Sequence, residues 1–224
     1  MKKKSKGCLV AIAVVLLVIC AIPFIPTIYR NYTRPLYKNW QSGRQWYGKI
    51  DAEDLDQVRD YCLQNDFDTT YYMLVDYSIP SGKKRCFLYN LQTGRKIMSS
   101  YCMHGNGPGN TAEKPKFSNE VGSRCSSLGR YVMLGKGSSK MRNAIRLRGL
   151  DRSNYKAELR GILIHATGRV TRFHGQSDYL PLGPECEGCI VVSRDFQMKM
   201  LEVLGNTSRK RPVLIYAKGD HDQL

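Results

Sequence analysis

Two cysteines, Cys186 and Cys189, enclose Glu187 and Gly188 in the stretch ECEGCIVV, which runs on into an apolar segment. Thiols at this spacing serve four chemistries: half of a zinc site, a redox pair, a structural disulfide, or one nucleophile with a cysteine for a neighbour. Zinc needs two more ligands at ordered spacing, and the sequence holds no second C-x-x-C and no closely spaced histidine pair. A redox pair opens a helix in a thioredoxin-like setting, whereas CIVV is β-branched and reads as a strand. The disulfide stays open, with Cys189 or the distant Cys125 as partner for Cys186, because exported cysteines tend to oxidise.

A nucleophilic cysteine needs a base or a positive neighbour, since the thiolate is the reactive species. The chain has four histidines, His104, His165, His174 and His221. His221 lies in the charged tail GDHDQL and His174 in the polar TRFHGQSD, so both read as solvated. His165 ends the apolar run GILI, where a strand would deliver it to the rim of a sheet. Cys189 stands where a glycine-bearing turn enters the next strand. Two neighbouring strands would bring imidazole and thiol together.

The elements that must do this are legible in the periodicity. A short acidic helix opens near Asp51, with Glu53, Asp54 and Asp56 in its first turns and Leu55, Val58, Cys62 and Leu63 as its buried stripe. YYMLVDYS, RCFLYNL and RKIMSSYCMH, separated by the turn-forming IPSGK and QTG, predict a three-stranded meander. Cys86 and Cys102 within it read as small buried hydrophobes. A long stretch rich in Gly, Pro and Asn follows, HGNGPGNTAEKPKFSNEVGSRCSSLG; loops of that length inside a domain are usually functional. YVMLG, AIRLRG and GILIHAT predict further strands. Ser193 caps a helix, DFQMKMLEVL, closed by Gly205, and RPVLIYA predicts a last strand. The sum is one mainly β (α+β) domain with a few short helices. Arg146 and Arg148 alternate along a strand and share a face that reads as solvated.

Ahead of this domain, the basic MKKKSKG precedes CLVAIAVVLLVICAIPFIP, Cys8 to Pro26, which carries no charge. A helix needs roughly 20 apolar residues to cross a bilayer. The run therefore reads as an uncleaved anchor, being longer than the apolar stretch of a signal peptide and ending without a good cleavage site. Lys2, Lys3, Lys4 and Lys6 favour a cytoplasmic N-terminus, with the domain outside. The chain has a net charge of +16. Its first 29 residues hold four lysines and no acid, leaving 31 Lys+Arg against 19 Asp+Glu, a net of +12. Such a charge attracts anionic partners at long range. No nucleic-acid module accompanies it, and a membrane surface or an anionic wall polymer suits an anchored protein better.

At ILIHAT and CEGCIV the sequence resembles the L,D-transpeptidases, in the branch of murein L,D-transpeptidase catalytic domains, whose signature is a strand-ending histidine followed by a Ser/Thr-x-Gly-Cys turn. FSNEVGSRCSSLGRY, IRLRGLDRSN and the MHG of Met103–Gly105 are similar to that branch too, in the same order, over roughly residues 70–217. The resemblance implies a β-sandwich or barrel with Cys189 as nucleophile, His165 as base, and N–H groups around Gly188 and Cys189 as the oxyanion hole. It places His104, Cys186, Glu187, Arg148 and Arg194 along the substrate, the residue-level alternative for His104 being a strand cap.

Cys186 stands where the family has Ser or Thr, Glu187 where it has His, Arg or Trp, and Val191 where many members carry an arginine. The carboxylate-binding role is thus left to Arg194, Arg148 or Arg146. The implied reaction is acyl transfer on peptidoglycan stem peptides, without metal or cofactor, giving 3→3 cross-links, or L,D-carboxypeptidase action if water is the acceptor. A wall-binding protein that has lost catalysis is the non-enzymatic alternative.

The implied layout is a basic cytoplasmic segment at 1–7, a transmembrane helix at 8–28, a linker with a short helix at 29–69, a catalytic domain at 70–217 and a polar tail at 218–224. This corresponds to a single-pass protein of a bacterial cytoplasmic membrane with its domain outside.

Overall fold

Runs of apolar and β-branched residues form nine strands that join in one sheet. The computed structural model describes residues 55–136, 141, 143–173, 177–205 and 211–219, all within one compact unit, Trp46–Leu224. The apolar run assigned to a membrane helix, 8–28, lies outside the described residues, as do His174 and His221. Among the described residues no helix is long and apolar enough to cross a membrane.

Helix α1 (Leu55–Gln64) leads into strands β1 (Tyr71–Asp76), β2 (Cys86–Asn90), β3 (Arg95–Ser100), β4 (Cys102–Met103), β5 (Gly129–Lys136), β6 (Ile145–Gly149) and β7 (Leu163–Ala166). Helix α2 (Gly168–Phe173), strand β8 (Ile190–Val192), helix α3 (Arg194–Leu204) and strand β9 (Leu214–Lys218) follow. The nine strands form one sheet in the order β3-β2-β1-β9-β5-β6-β7-β8-β4. Its two ends, β3 and β4, are consecutive in sequence with only Tyr101 between them, so the sheet curls back on itself and is barrel-like.

RKIMSSYCMH is therefore not one strand of a meander. Its first half pairs with β2 and its second half with β8, and the chain changes partner at Tyr101. Ser100 fastens this seam: its hydroxyl accepts the Ser193 N–H at 3.1 Å and donates to the Tyr101 carbonyl at 2.7 Å.

The period-2 pattern sorts side chains onto two faces. Met73, Val75, Leu88, Tyr131, Leu147, Ile164, Ile190 and Ile215 fill the inside, together with Cys86 and Cys102, both fully buried. α3 adds Phe196, Met200 and Leu204 to this core, spaced four apart so that they share one helical face. Each such buried side chain contributes roughly 1.5–3 kcal/mol. Ser193 caps α3 by accepting the Phe196 N–H. Gly205 ends it in a right-handed conformation, φ −46°, and not as a left-handed cap.

On the outer face α1 packs Val58, Tyr61 and Cys62 against Tyr72, Leu74, Val132 and Leu214. Leu63 is not part of the expected stripe: it is 59% exposed, and Tyr61 takes its place. A second outer cluster, Met103, Val170, Leu180, Cys186, Cys189 and Val191, surrounds the cysteine pair.

Candidate active site

Strands β7 and β8 are parallel neighbours, with Ile164 opposite Ile190 and His165 opposite Val191. One residue earlier, Leu163 faces Cys189, and its N–H donates to the Cys189 Sγ at 3.4 Å. His165 and Cys189 thus project from the same outer face as diagonal neighbours on adjacent strands. Such neighbours sit about 7–8 Å apart at the backbone, within reach of a ring side chain. Both are enclosed, His165 at 2% and Cys189 at 8% exposure, with Val170 and Leu180 from the segment between β7 and β8 in the same apolar cluster as Cys189. The His165 Nε2 is buried without a hydrogen-bond partner.

Burial disfavours charge on both groups. It pushes the Cys189 thiol above its ordinary value, while the Leu163 N–H and the Arg160 charge pull against it. It holds the His165 imidazole below its ordinary value, against the main chain at Ala166 and Glu185 and the Glu185 carboxylate. Burial thus works against the thiolate and the imidazolium alike.

Gly188 is required where it stands. Its φ is +99°, and a Cβ there would lie 2.5 Å from the Cys125 carbonyl oxygen and 2.9 Å from an Arg160 Nη. The loop around Cys125 thus packs backbone to backbone on the cysteine turn. The turn is tied down from its other side too. Asn106 donates its N–H to the Cys186 carbonyl at 2.8 Å and its amide to the Gly183 carbonyl at 2.7 Å. Arg124 reaches the Asn106 side chain at 2.9 Å and pairs with the exposed Glu187 at 3.6 Å.

Cys186 itself is fully buried, and burial raises its thiol well above the ordinary range. All six described cysteines are free thiols, so neither a Cys186–Cys189 nor a Cys186–Cys125 bridge is present. Among the described residues no three of His, Cys, Asp and Glu converge to hold a metal ion.

The structure draws Cys189, His165, Gly188, Cys186 and Glu187 together, and places the other predicted residues apart. His104 is 1% exposed with both ring nitrogens taken: Nδ1 lies 3.0 Å from an Arg85 Nη and Nε2 donates to the Thr111 carbonyl at 2.8 Å. Burial, with the Arg85 charge, lowers its pKa to about 4. No ring nitrogen is left for a substrate, and the residue fixes the loop after β4. Arg148 is bound to Glu158 at 2.8 Å. Arg194 stands exposed at the start of α3. No hydrogen bond or ion pair joins either arginine to the cysteine turn. A cleft of about 430 Å³, lined by Lys84, Tyr101, Ser193, Asp195 and Lys199 among others, lies beyond the other end of β8; neither His165 nor Cys189 lines it.

Two features escaped the sequence. Glu185 accepts from the Thr167 hydroxyl at 2.7 Å and pairs with Arg169 at 3.1 Å, bracing the turn against the residues after His165. Partial burial works against its charge, but these partners and His165 outweigh it and lower its pKa. Arg160, not Arg148 or Arg194, is the arginine that packs on the cysteine turn, with an Nη 2.9 Å from where a Gly188 Cβ would stand. Nothing in the pattern of ELRGILIHAT marks it, because its partners lie 33 to 42 residues away.

Comparison with known proteins agrees with this arrangement. No curated protein matches the chain. Among solved structures, it is similar to the crystal structure of the helical cell shape determining protein Pgp2 from Campylobacter jejuni, at 15% identity and a TM-score of 0.40. That similarity covers 73% of this chain and 56% of the other, so the chain spans little more than half of that protein and the likeness carries no weight here. The profile described as the L,D-transpeptidase catalytic domain matches residues 49–215, from just ahead of α1 into β9. A strand-borne histidine, a glycine turn and a cysteine heading the next strand all fall within that match, and the chain belongs to the L,D-transpeptidase catalytic-domain family.

Proposed function

We propose that the protein is a cysteine acyltransferase acting on peptidoglycan stem peptides, an L,D-transpeptidase forming 3→3 cross-links. The observation that carries this is the parallel β7–β8 register, which sets His165 diagonal to Cys189 on one face with its Nε2 unpartnered. His165 takes the thiol proton as Cys189 attacks the carbonyl of the L-centred third residue of a tetrapeptide. The N–H groups at Gly188 and Cys189 receive the developing oxyanion. His165 returns the proton to the departing D-alanine amine, leaving a thioester on Cys189. An amine of a second stem then displaces the thiolate; water in that role would give L,D-carboxypeptidase action.

In this reading the apolar run at 8–28 holds the domain outside a bacterial cytoplasmic membrane, facing its substrate.

The test is capture of the thioester. Wild-type protein quenched in acid during turnover of a disaccharide tetrapeptide should carry the acyl group on the Cys189 peptide by mass spectrometry. His165→Gln should slow its formation by about 10²–10⁴-fold, the usual contribution of a general base. An adduct mapping to another residue would defeat the assignment.

A further inference from the structure

Arg160 lies just before β7, and the loop between Phe117 and Ser127 folds around its guanidinium. Its Nη1 donates to the Ser118 carbonyl at 2.8 Å and the Ser127 hydroxyl at 3.2 Å. Its Nη2 donates to the Ser123 hydroxyl at 3.3 Å and to the Cys125 carbonyl at 2.5 Å. A guanidinium has five N–H groups, and four are thereby committed to neutral oxygens. Arg160 makes no ion pair with a described carboxylate: Glu120, which adds to its electrostatic surroundings, is bound to Lys156 at 2.7 Å.

A half-buried cation without an ion-pair partner is unusual, because burying charge is costly unless it is paired. What lies beside this one is the nucleophile's turn. An Nη comes within 2.9 Å of where a Gly188 Cβ would be, and Cys125, whose carbonyl the guanidinium holds, packs on Gly188.

We infer that Arg160 is a positioning residue for the reaction proposed above: its charge favours the thiolate of Cys189, and the 117–127 loop fixes it there by occupying its donors. This rests on Cys189 being the nucleophile. The committed donors separate this role from the carboxylate clamp that an arginine near such a site suggests, because a clamp needs a free fork. They also give the SSLG-containing loop a purpose that its sequence does not announce. It aims a charge instead of touching substrate.

The experiment is the pH dependence of Cys189 alkylation by iodoacetamide in the full chain, followed on the Cys189 peptide by mass spectrometry, for wild type, Arg160→Gln and Arg160→Lys. A neighbouring opposite charge favours the charged form of a titrating group, commonly by about 1–3 units when it is close. Arg160→Gln should therefore raise the midpoint by at least about one unit and slow alkylation roughly tenfold at a fixed pH below it. Arg160→Lys, which keeps the charge and loses the fork, should stay within about half a unit of wild type on the same scale. A folded Arg160→Gln protein with an unmoved midpoint overturns the inference. So does a Lys variant displaced as far as that one unit, which also decides the matter if the Gln variant does not fold. No turnover enters this readout. Failure of Cys189 as nucleophile would show separately, as stem-peptide turnover that survives its removal.

Discussion

At the level of single residues, burial disfavours charge on Cys189 and His165 and, apart from the site, leaves His104 unable to hold a proton until about pH 4. For His104 the consequence for stability has a definite sign. Between its unfolded pKa, about 6.5, and about 4, the unfolded chain binds a proton that the folded chain refuses. Stability is therefore lost as pH falls through that window and changes no further below it on this account. Thermal melts of wild type and His104→Gln at intervals between those values should show a shallower acid slope in the variant, and parallel slopes would contradict the assignment. The placement of Cys189 and His165 on neighbouring strands was legible in the sequence because the ends of apolar runs mark where strands begin and stop. The role of His104 was not legible. A histidine in a glycine-rich loop reads alike whether it faces substrate or a buried arginine, and only the position of Arg85, nineteen residues away, decides. Arg160 was missed for the same reason.

At the level of elements, periodicity served well wherever one face is buried. β1, β2, β5 to β9, α1 and α3 all fall on segments whose pattern predicts them. It failed where tertiary contacts overrule the local pattern. RKIMSSYCMH is uniform in composition but changes pairing partner at Tyr101, and α2, with Val170 as its buried anchor, follows His165 where the polar composition suggested only loop. Two substitutions separate scaffold from site. Gly188→Ala forces a side chain onto a backbone at φ +99° and into the Cys125 carbonyl. It should cost about 1–3 kcal/mol of local strain and lower acylation at least tenfold; an active, equally stable variant would show that the turn is not so confined. Asp151→Ala removes the partner of the buried Arg130, whose N–H and guanidinium both bond to that carboxylate. It should destabilise by about 3–5 kcal/mol, a fall in Tm of roughly 10 °C, with little change in kcat for the protein that remains folded. The family-like segment IRLRGLDRSN would then be scaffold for β5 and β6, not part of the site.

At the level of the whole molecule, a barrel-like sheet closed through Tyr101 carries His165 and Cys189 on its outer face, in a chain whose net charge beyond its first 29 residues is +12. That charge predicts salt-sensitive association with anionic wall polymer. The fraction sedimenting with insoluble peptidoglycan should fall steeply as NaCl rises from about 0.05 to 0.5 M, where screening shortens to a few ångströms, and salt-independent binding would point to apolar contacts instead. Composition made the charge legible, but not the closure of the sheet, which depends on one segment pairing on both sides. The most direct measurement compares wild type and Cys189→Ala on a disaccharide tetrapeptide, with products resolved by mass spectrometry. Wild type should release D-alanine and form a dimer joined between third residues, and the variant should do neither. D-alanine release that persists in the variant would contradict it.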